Sequence, residues 1–196
     1  MITVPLIQLK WKVFRKHGFR SGNMWTSIDY HLPLSVFGSA CMEQFQTWFD
    51  GKLVQEITSI NAMCDYMIGC RHVPDIKQHN QRDVWMHPVD FERLKKGDCE
   101  DFSLWAWRRL SAMGYETEFM TGAVAKDGDL FGHAWLVYHD DGIPYLLETS
   151  GYSHETMVRP LAEVKHDYFP RASVDQSFQR RLYSGISVTI KLIMAG

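Results

Sequence analysis

No two of the four cysteines in this chain, Cys41, Cys64, Cys70 and Cys99, are spaced as C-x-x-C, and four in 196 residues is sparse for a disulfide-stapled domain. Both facts argue against a zinc site and a dense disulfide framework, and most of these thiols are expected to be small buried hydrophobes. Also missing is any run near the ~18 consecutive apolar residues of a membrane span. The opening stretch Met1–Lys10 meets proline and polar residues before a signal-peptide apolar core can develop, so a soluble, cytoplasmic protein is expected. Charge of one sign is lacking too: 21 Lys and Arg face 23 Asp and Glu, a formal net charge of -2. That balance gives no general attraction to nucleic acid or to an anionic membrane, and neither is expected as a partner. No repeat or low-complexity tract marks an internal boundary.

What remains is an ordinary globular composition, 45% hydrophobic and 22% charged, at a length that suits a single domain over residues 1–196 with a substantial core. Residues 1–35 mix short apolar runs with Gly, Pro, Ser and Asn, which predicts short strands and loops. From Met42 to Met67 apolar residues recur at helical spacing, and Asp50-Gly51 is expected to separate a pair of helices. Pro74 to Pro88 reads as polar and irregular, and Asp90 as the start of a short helical turn that ends at Lys95-Lys96-Gly97. A well-marked helix comes next. Asp98 is a good N-cap, Asp101 stands three positions on, and Phe102, Ala106, Leu110 and Met113 form an apolar stripe before Gly114. The pattern then turns to strands over 118–125, 133–138 and 145–149, divided by Asp127-Gly128-Asp129 and Asp140-Asp141-Gly142, with a final strand expected over 186–194.

Three short segments carry the chemistry: Gly97-Asp98-Cys99-Glu100-Asp101-Phe102, Gly132-His133-Ala134-Trp135 and Leu147-Glu148-Thr149. They supply a thiol, an imidazole and a carboxylate, the nucleophile, base and orienting group of a cysteine acyl-transfer site. Cys99 falls in the first turn of its helix, where unpaired N–H groups and the helix dipole favour the thiolate over a thiol of pKa about 8.5. The neighbouring acids Asp98, Glu100 and Asp101 oppose that, which makes a histidinium partner necessary. Those acids fit the helix N-terminus as capping and dipole partners, so no metal and no cofactor is expected. If the hairpin turns on Asp140-Asp141, His133 and Glu148 lie directly across from one another, on one face, and the carboxylate can hold one imidazole nitrogen while the other faces Cys99. A one-residue slip would put them on opposite faces.

These residues resemble a known family. The segment from Gly97 to Phe102, Trp85 and Pro88 upstream of it, Leu110 and Gly114 after it, His133-Ala134-Trp135, Leu147-Glu148 and Val158-Arg159-Pro160 look like the bacterial transglutaminase-like cysteine proteinases of the papain-like superfamily. The resemblance spans about residues 60–160, with additions at both ends. It implies an α+β fold in which the catalytic helix packs on an antiparallel sheet, with Cys99 as nucleophile, His133 as general base and acid, and Glu148 as the orienting carboxylate. The family usually has Asp or Asn in that third place. Its exported members cut surface adhesins and bind calcium through acids flanking the cysteine; with no signal peptide in view, that substrate and location are not carried over. Trp85, Gln78, Asn80 and Gln81 lie where papain-like enzymes place an oxyanion donor, and core packing is the alternative for Trp85. A protein or peptide substrate and amide hydrolysis are expected. Transglutamination, glutamine deamidation and a non-catalytic interaction module on the same fold remain open.

Overall fold

Ser59, His87 and Asp98 each begin a helix by means written into the local chain. The computed structural model describes residues 24–29, 37, 45–127 and 129–183. The strand expected over 186–194, most of the N-terminal segment and Cys41 lie outside them. The Ser59 hydroxyl accepts from the Ala62 N–H at 3.1 Å and opens α1 (Ile60–Ile68). A four-residue helix, α2 (Asp75–Gln78), succeeds the two-residue strand β2 (Arg71–His72). The ring of His87 caps α3 (Pro88–Leu94), whose proline sits in the first turn, and Lys95 ends it in the left-handed region at φ 51°. A second two-residue strand, β3 (Lys96–Gly97), pairs parallel with β2 and leads into α4 (Cys99–Ala112).

The helical reading of 42–67 needs correction. Its described residues begin with a 3-10 turn, Phe45–Phe49, and residues 50–59 form no helix. Their backbone is taken up elsewhere: the Glu92 carboxylate accepts from the Val54 and Gln55 N–H groups at 2.5 and 2.9 Å. Apolar spacing predicted helix there, but burial alternates along the segment: Leu53 and Ile57 pack against the core while Val54 between them is 75% exposed, the pattern of an extended chain. Pro74 to Pro88, expected to be irregular, contains the short α2.

A seven-stranded sheet holds the other half of the molecule, every neighbouring pair antiparallel. Its strands are β1 (Ser27–Asp29), β4 (Glu116–Lys126), β5 (Asp129–Asp140), β6 (Ile143–Leu147), β7 (Val158–Pro160), β8 (Tyr168–Asp175) and β9 (Arg180–Tyr183), in the order β1-β9-β8-β4-β5-β6-β7. Two more short helices, α5 (His154–Met157) and α6 (Leu161–Val164), flank β7. Alternation divides the strand side chains between two cores. Phe119, Leu136, Tyr138 and Leu147 pack with Trp105, Trp107 and Leu110 of α4, while Met120, Trp135, Val137 and Leu146 pack with Val164, Tyr168 and Tyr183 on the other face. No helix among the described residues is long and apolar enough to cross a membrane.

Candidate active site

Gly97 is required by the start of α4: a Cβ at this position would collide with the Asp101 carboxylate. That carboxylate accepts from the Asp98 N–H at 3.2 Å and from the Met86 N–H at 2.7 Å, tying the helix start to the preceding loop. Asp98 takes the extended backbone of an N-cap and Cys99 is the first helical residue, as the sequence predicts. Burial raises the Asp101 carboxyl to about 8, against the pull of its two N–H donors.

The thiol does not gain what its helix position alone would give. Cys99 Sγ donates to Glu100 Oε2 at 3.2 Å and receives the backbone N–H of Ala134. Burial first, then the charges of Glu100 and Asp98, push the thiol well above its ordinary pKa, and the Ala134 N–H does not offset them. The contact with Ala134 also sets the sulfur against strand β5 at the residue after His133.

His133 and Glu148 meet. Nε2 of His133 lies 2.9 Å from Oε1 and 2.7 Å from Oε2 of Glu148, and only 12% and 15% of the two side chains are exposed. The register that brings them together differs from the expected one. Leu136 pairs with Leu147 and Asp140 with Ile143, so the ladder is displaced by two residues from a direct pairing of 133 with 148. The turn falls on Asp141-Gly142, with φ of 48° and 77°, the two left-handed residues of a type I′ hairpin. An even displacement keeps the face. His133 and Glu148 are therefore diagonal neighbours, in reach of long side chains, with His133 inside β5 rather than at its start and Glu148 one residue beyond β6.

The Glu148 carboxylate has two further donors. The Ser150 N–H reaches Oε1 at 3.0 Å and the Tyr168 hydroxyl reaches Oε2 at 2.8 Å; the Tyr168 oxygen in turn accepts from Arg159 Nη2 at 3.3 Å. Burial pushes the carboxyl up, but His133, Ser150 and Tyr168 together hold it below the usual carboxylate range. The His133 ring stacks on Trp135, with centroids 6.1 Å apart and planes at 22°. Thr149 bridges to the helix: its Oγ1 lies 2.8 Å from Ser103 Oγ and donates to the Cys99 carbonyl at 3.5 Å.

Of the candidates for an oxyanion donor, Trp85 belongs to the core, edge-on to Phe119 at 5.6 Å with its indole N–H on Asp83. Asn80 and Gln81 are exposed, and Gln78 turns its amide nitrogen to His79 at 2.9 Å. Two groups near Asp98 have no signal in the motif. His72 pairs across from Gly97 and stacks on Phe102 at 6.3 Å; burial lowers its pKa, Asp98 and Glu148 oppose, and His133 adds. Asp75, from α2, donates its N–H to Asp98 Oδ2 at 3.2 Å and accepts from the Val84 N–H. Capping accounts for Asp101 but not for the cluster that Asp75, Asp98 and Glu100 form, one carboxylate oxygen of each within 4.8 Å of the others. Oδ1 of Asp75 and of Asp98 are buried with no partner, and burial with mutual repulsion raises the Asp75 and Glu100 carboxyls.

A helix-borne cysteine set against an antiparallel sheet that carries a hydrogen-bonded histidine and carboxylate places the chain among the transglutaminase-like cysteine-proteinase folds. The relation extends to sequence: the family model of the bacterial transglutaminase-like cysteine proteinases matches residues 39–179, and the chain belongs to that family. Among solved structures it is similar to Legionella pneumophila LapG in its calcium-bound form, with a TM-score of 0.51 at 16% identity over 90% of this chain and 88% of that one. An EGTA-treated LapG superimposes with a TM-score of 0.50 at 16% identity over 94% and 89%, and a further LapG structure with 0.50 at 16% over 98% and 99%. A search of curated proteins returned no match.

Proposed function

We propose that this chain is a cysteine peptidase that hydrolyses amide bonds in a protein substrate through Cys99, His133 and Glu148. The observation that carries the reading is the 2.7 Å contact of His133 with Glu148, beside a thiol held by the backbone N–H of the next residue, Ala134. With Nε2 engaged by the carboxylate, Nδ1 is the nitrogen left to act as base. It takes the proton from Sγ, and the sulfur attacks the amide carbonyl. The imidazolium then protonates the leaving amine as the C–N bond breaks, leaving a thioester on Cys99. Water, deprotonated by His133, attacks the thioester; the carboxylic acid departs and the thiol is restored. The backbone N–H of Cys99, unpaired within its own helix, is one donor for the oxyanion.

The residues also fit a divalent cation. Asp75, Asp98 and Glu100 offer oxygen donors of the kind calcium takes, two of their buried oxygens lack any partner, and LapG has been solved with calcium bound. A bound cation supplies positive charge that offsets the carboxylates opposing ionisation of the thiol.

The test pairs Cys99→Ala with the unaltered chain on a peptide mixture read by mass spectrometry. New N-termini that vanish in Cys99→Ala are expected, with an unchanged melting temperature. A deamidation mass shift at glutamine, or incorporation of an added primary amine, would assign the site to deamidation or transglutamination instead. Turnover persisting in Cys99→Ala would overturn the mechanism.

A further inference from the structure

Glu148 stands one residue beyond the end of β6, and its side chain has several torsions to order before it can orient an imidazole. Several strands converge to do this. Tyr168, from β8, is buried at 3% exposure, its ring edge-on to Trp135 at 5.2 Å and its hydroxyl 2.8 Å from Glu148 Oε2. Arg159, from β7, donates to the same hydroxyl oxygen at 3.3 Å. The direction of the chain of hydrogen bonds is fixed by chemistry: guanidinium can only donate, so the Tyr168 oxygen accepts from Arg159 and its single proton goes to the carboxylate. Burial and the adjacent Glu148 charge keep that phenol protonated throughout the working pH range, so Tyr168 is a donor and not an acid or base in turnover.

We infer that Tyr168, itself held by Arg159, is a positioning residue that fixes the Glu148 carboxylate against His133. The inference rests on the reading of Glu148 as the group that orients His133. Groups facing Glu148 are His133 from β5, Tyr168 from β8, the Ser150 N–H, and, at longer range, Arg159 and His72. Of those that can be altered without touching the proposed base or the backbone, Tyr168 is the one whose side chain hydrogen-bonds Glu148, and Arg159 acts on it through Tyr168.

Two measurements on the full chain separate the role of Tyr168 from that of Glu148. The first is carboxylate 13C NMR titration of glutamate-labelled protein, with the Glu148 signal assigned by its loss in Glu148→Gln. In Tyr168→Phe, which keeps the ring, the Glu148 titration is expected to move to higher pH, and in Arg159→Gln to move the same way by less. The second is the rate at which iodoacetamide labels Cys99 at fixed pH, read by peptide mapping. Tyr168→Phe should slow it about tenfold, as loss of a hydrogen bond to a charged group does. The double variant Tyr168→Phe/Glu148→Gln should be no slower than Glu148→Gln alone, whereas a merely structural Tyr168 gives additive losses. An unmoved Glu148 titration in Tyr168→Phe overturns the inference. A shifted titration with wild-type labelling in both Tyr168→Phe and Glu148→Gln overturns the reading that Glu148 serves His133, and the positioning role with it. Slow labelling in Glu148→Gln alone overturns only the role of Tyr168.

Discussion

Glu148 reaches His133 from beyond the end of its strand, so their hydrogen bond depends on donors that hold the carboxylate there rather than on a ladder. Glu148→Gln preserves size and removes the charge that stabilises an imidazolium. The turnover number is expected to fall about a hundredfold with KM little changed, measured on a peptide substrate found in the Cys99→Ala comparison. Because the folded-state pKa of Glu148 lies below its unfolded value, its contribution to stability is complete above the ordinary carboxylate range and is lost as pH falls through the lower, folded value. Glu148→Gln should therefore flatten the acid side of a plot of melting temperature against pH. That Cys99 begins a helix and that Glu148 shares a face with His133 were legible in the chain as residue types at a spacing. The ionisation of the thiol was not, because burial and the carboxylates around it outweigh the helix dipole.

At the level of elements, α3 and α4 are locked through Glu92. Its carboxylate, 3% exposed as a side chain, accepts from Trp105 Nε1 at 2.8 Å and from Arg109, and the same group holds residues 54 and 55. Burial pushes Glu92 up, yet these donors together hold it below the ordinary carboxylate range. Arg109→Met leaves that charge without its cation and should cost about 3 kcal/mol in urea unfolding at neutral pH. The deficit should shrink on acidification, as the unpaired carboxyl takes up a proton. The β5–β6 hairpin offers a second check. Gly142 sits at φ 77° with nothing within 4 Å of a Cβ, so Gly142→Ala meets backbone strain and no clash. It should cost about 1 kcal/mol, and a larger loss with altered labelling of Cys99 would mean that the register had slipped.

Across the whole molecule, the helix that carries Cys99 and the pair of His133 and Glu148 belong to different cores. His133 and Glu148 are in phase with Trp135 and Leu146, which face away from α4, while Leu136 and Leu147 face toward it. The start of that helix and the pair are linked where β6 stops pairing and the chain turns through Thr149, whose hydroxyl donates to the Cys99 carbonyl, and where the Ala134 N–H, next to His133, meets the sulfur. The carboxylate cluster links a third region, α2, to the same point through Asp75. Calcium bound there should stabilise the entire fold. At about 100 times its dissociation constant it adds about 2.7 kcal/mol, which for a chain of this length raises the melting temperature by about 5–10 °C. EGTA should reverse the rise and Asp75→Asn or Glu100→Gln should remove it. Melts that coincide in calcium and in EGTA would dismiss the cation.

The sequence by itself determined the elements around the site and the residues on them. Asp98 before Cys99 starts a helix, the alternation from Glu118 onward makes strands, and Asp140-Asp141-Gly142 divides two of them with a turn, because caps, periods of 3.6 and 2, and turn residues act within a few positions. The parity of the hairpin was readable and its register was not, since a shift of two residues leaves every side chain on the same face. Tertiary structure decided the rest. Asp75 joining Asp98 and Glu100, Tyr168 and Arg159 closing on Glu148, and Trp85 entering the core join residues far apart in the chain, and each arises from which surfaces must be buried together. The same burial sets the charge state of Cys99 and of the acids beside it, for a carboxylate removed from water answers to every group packed against it and not to its neighbours in sequence.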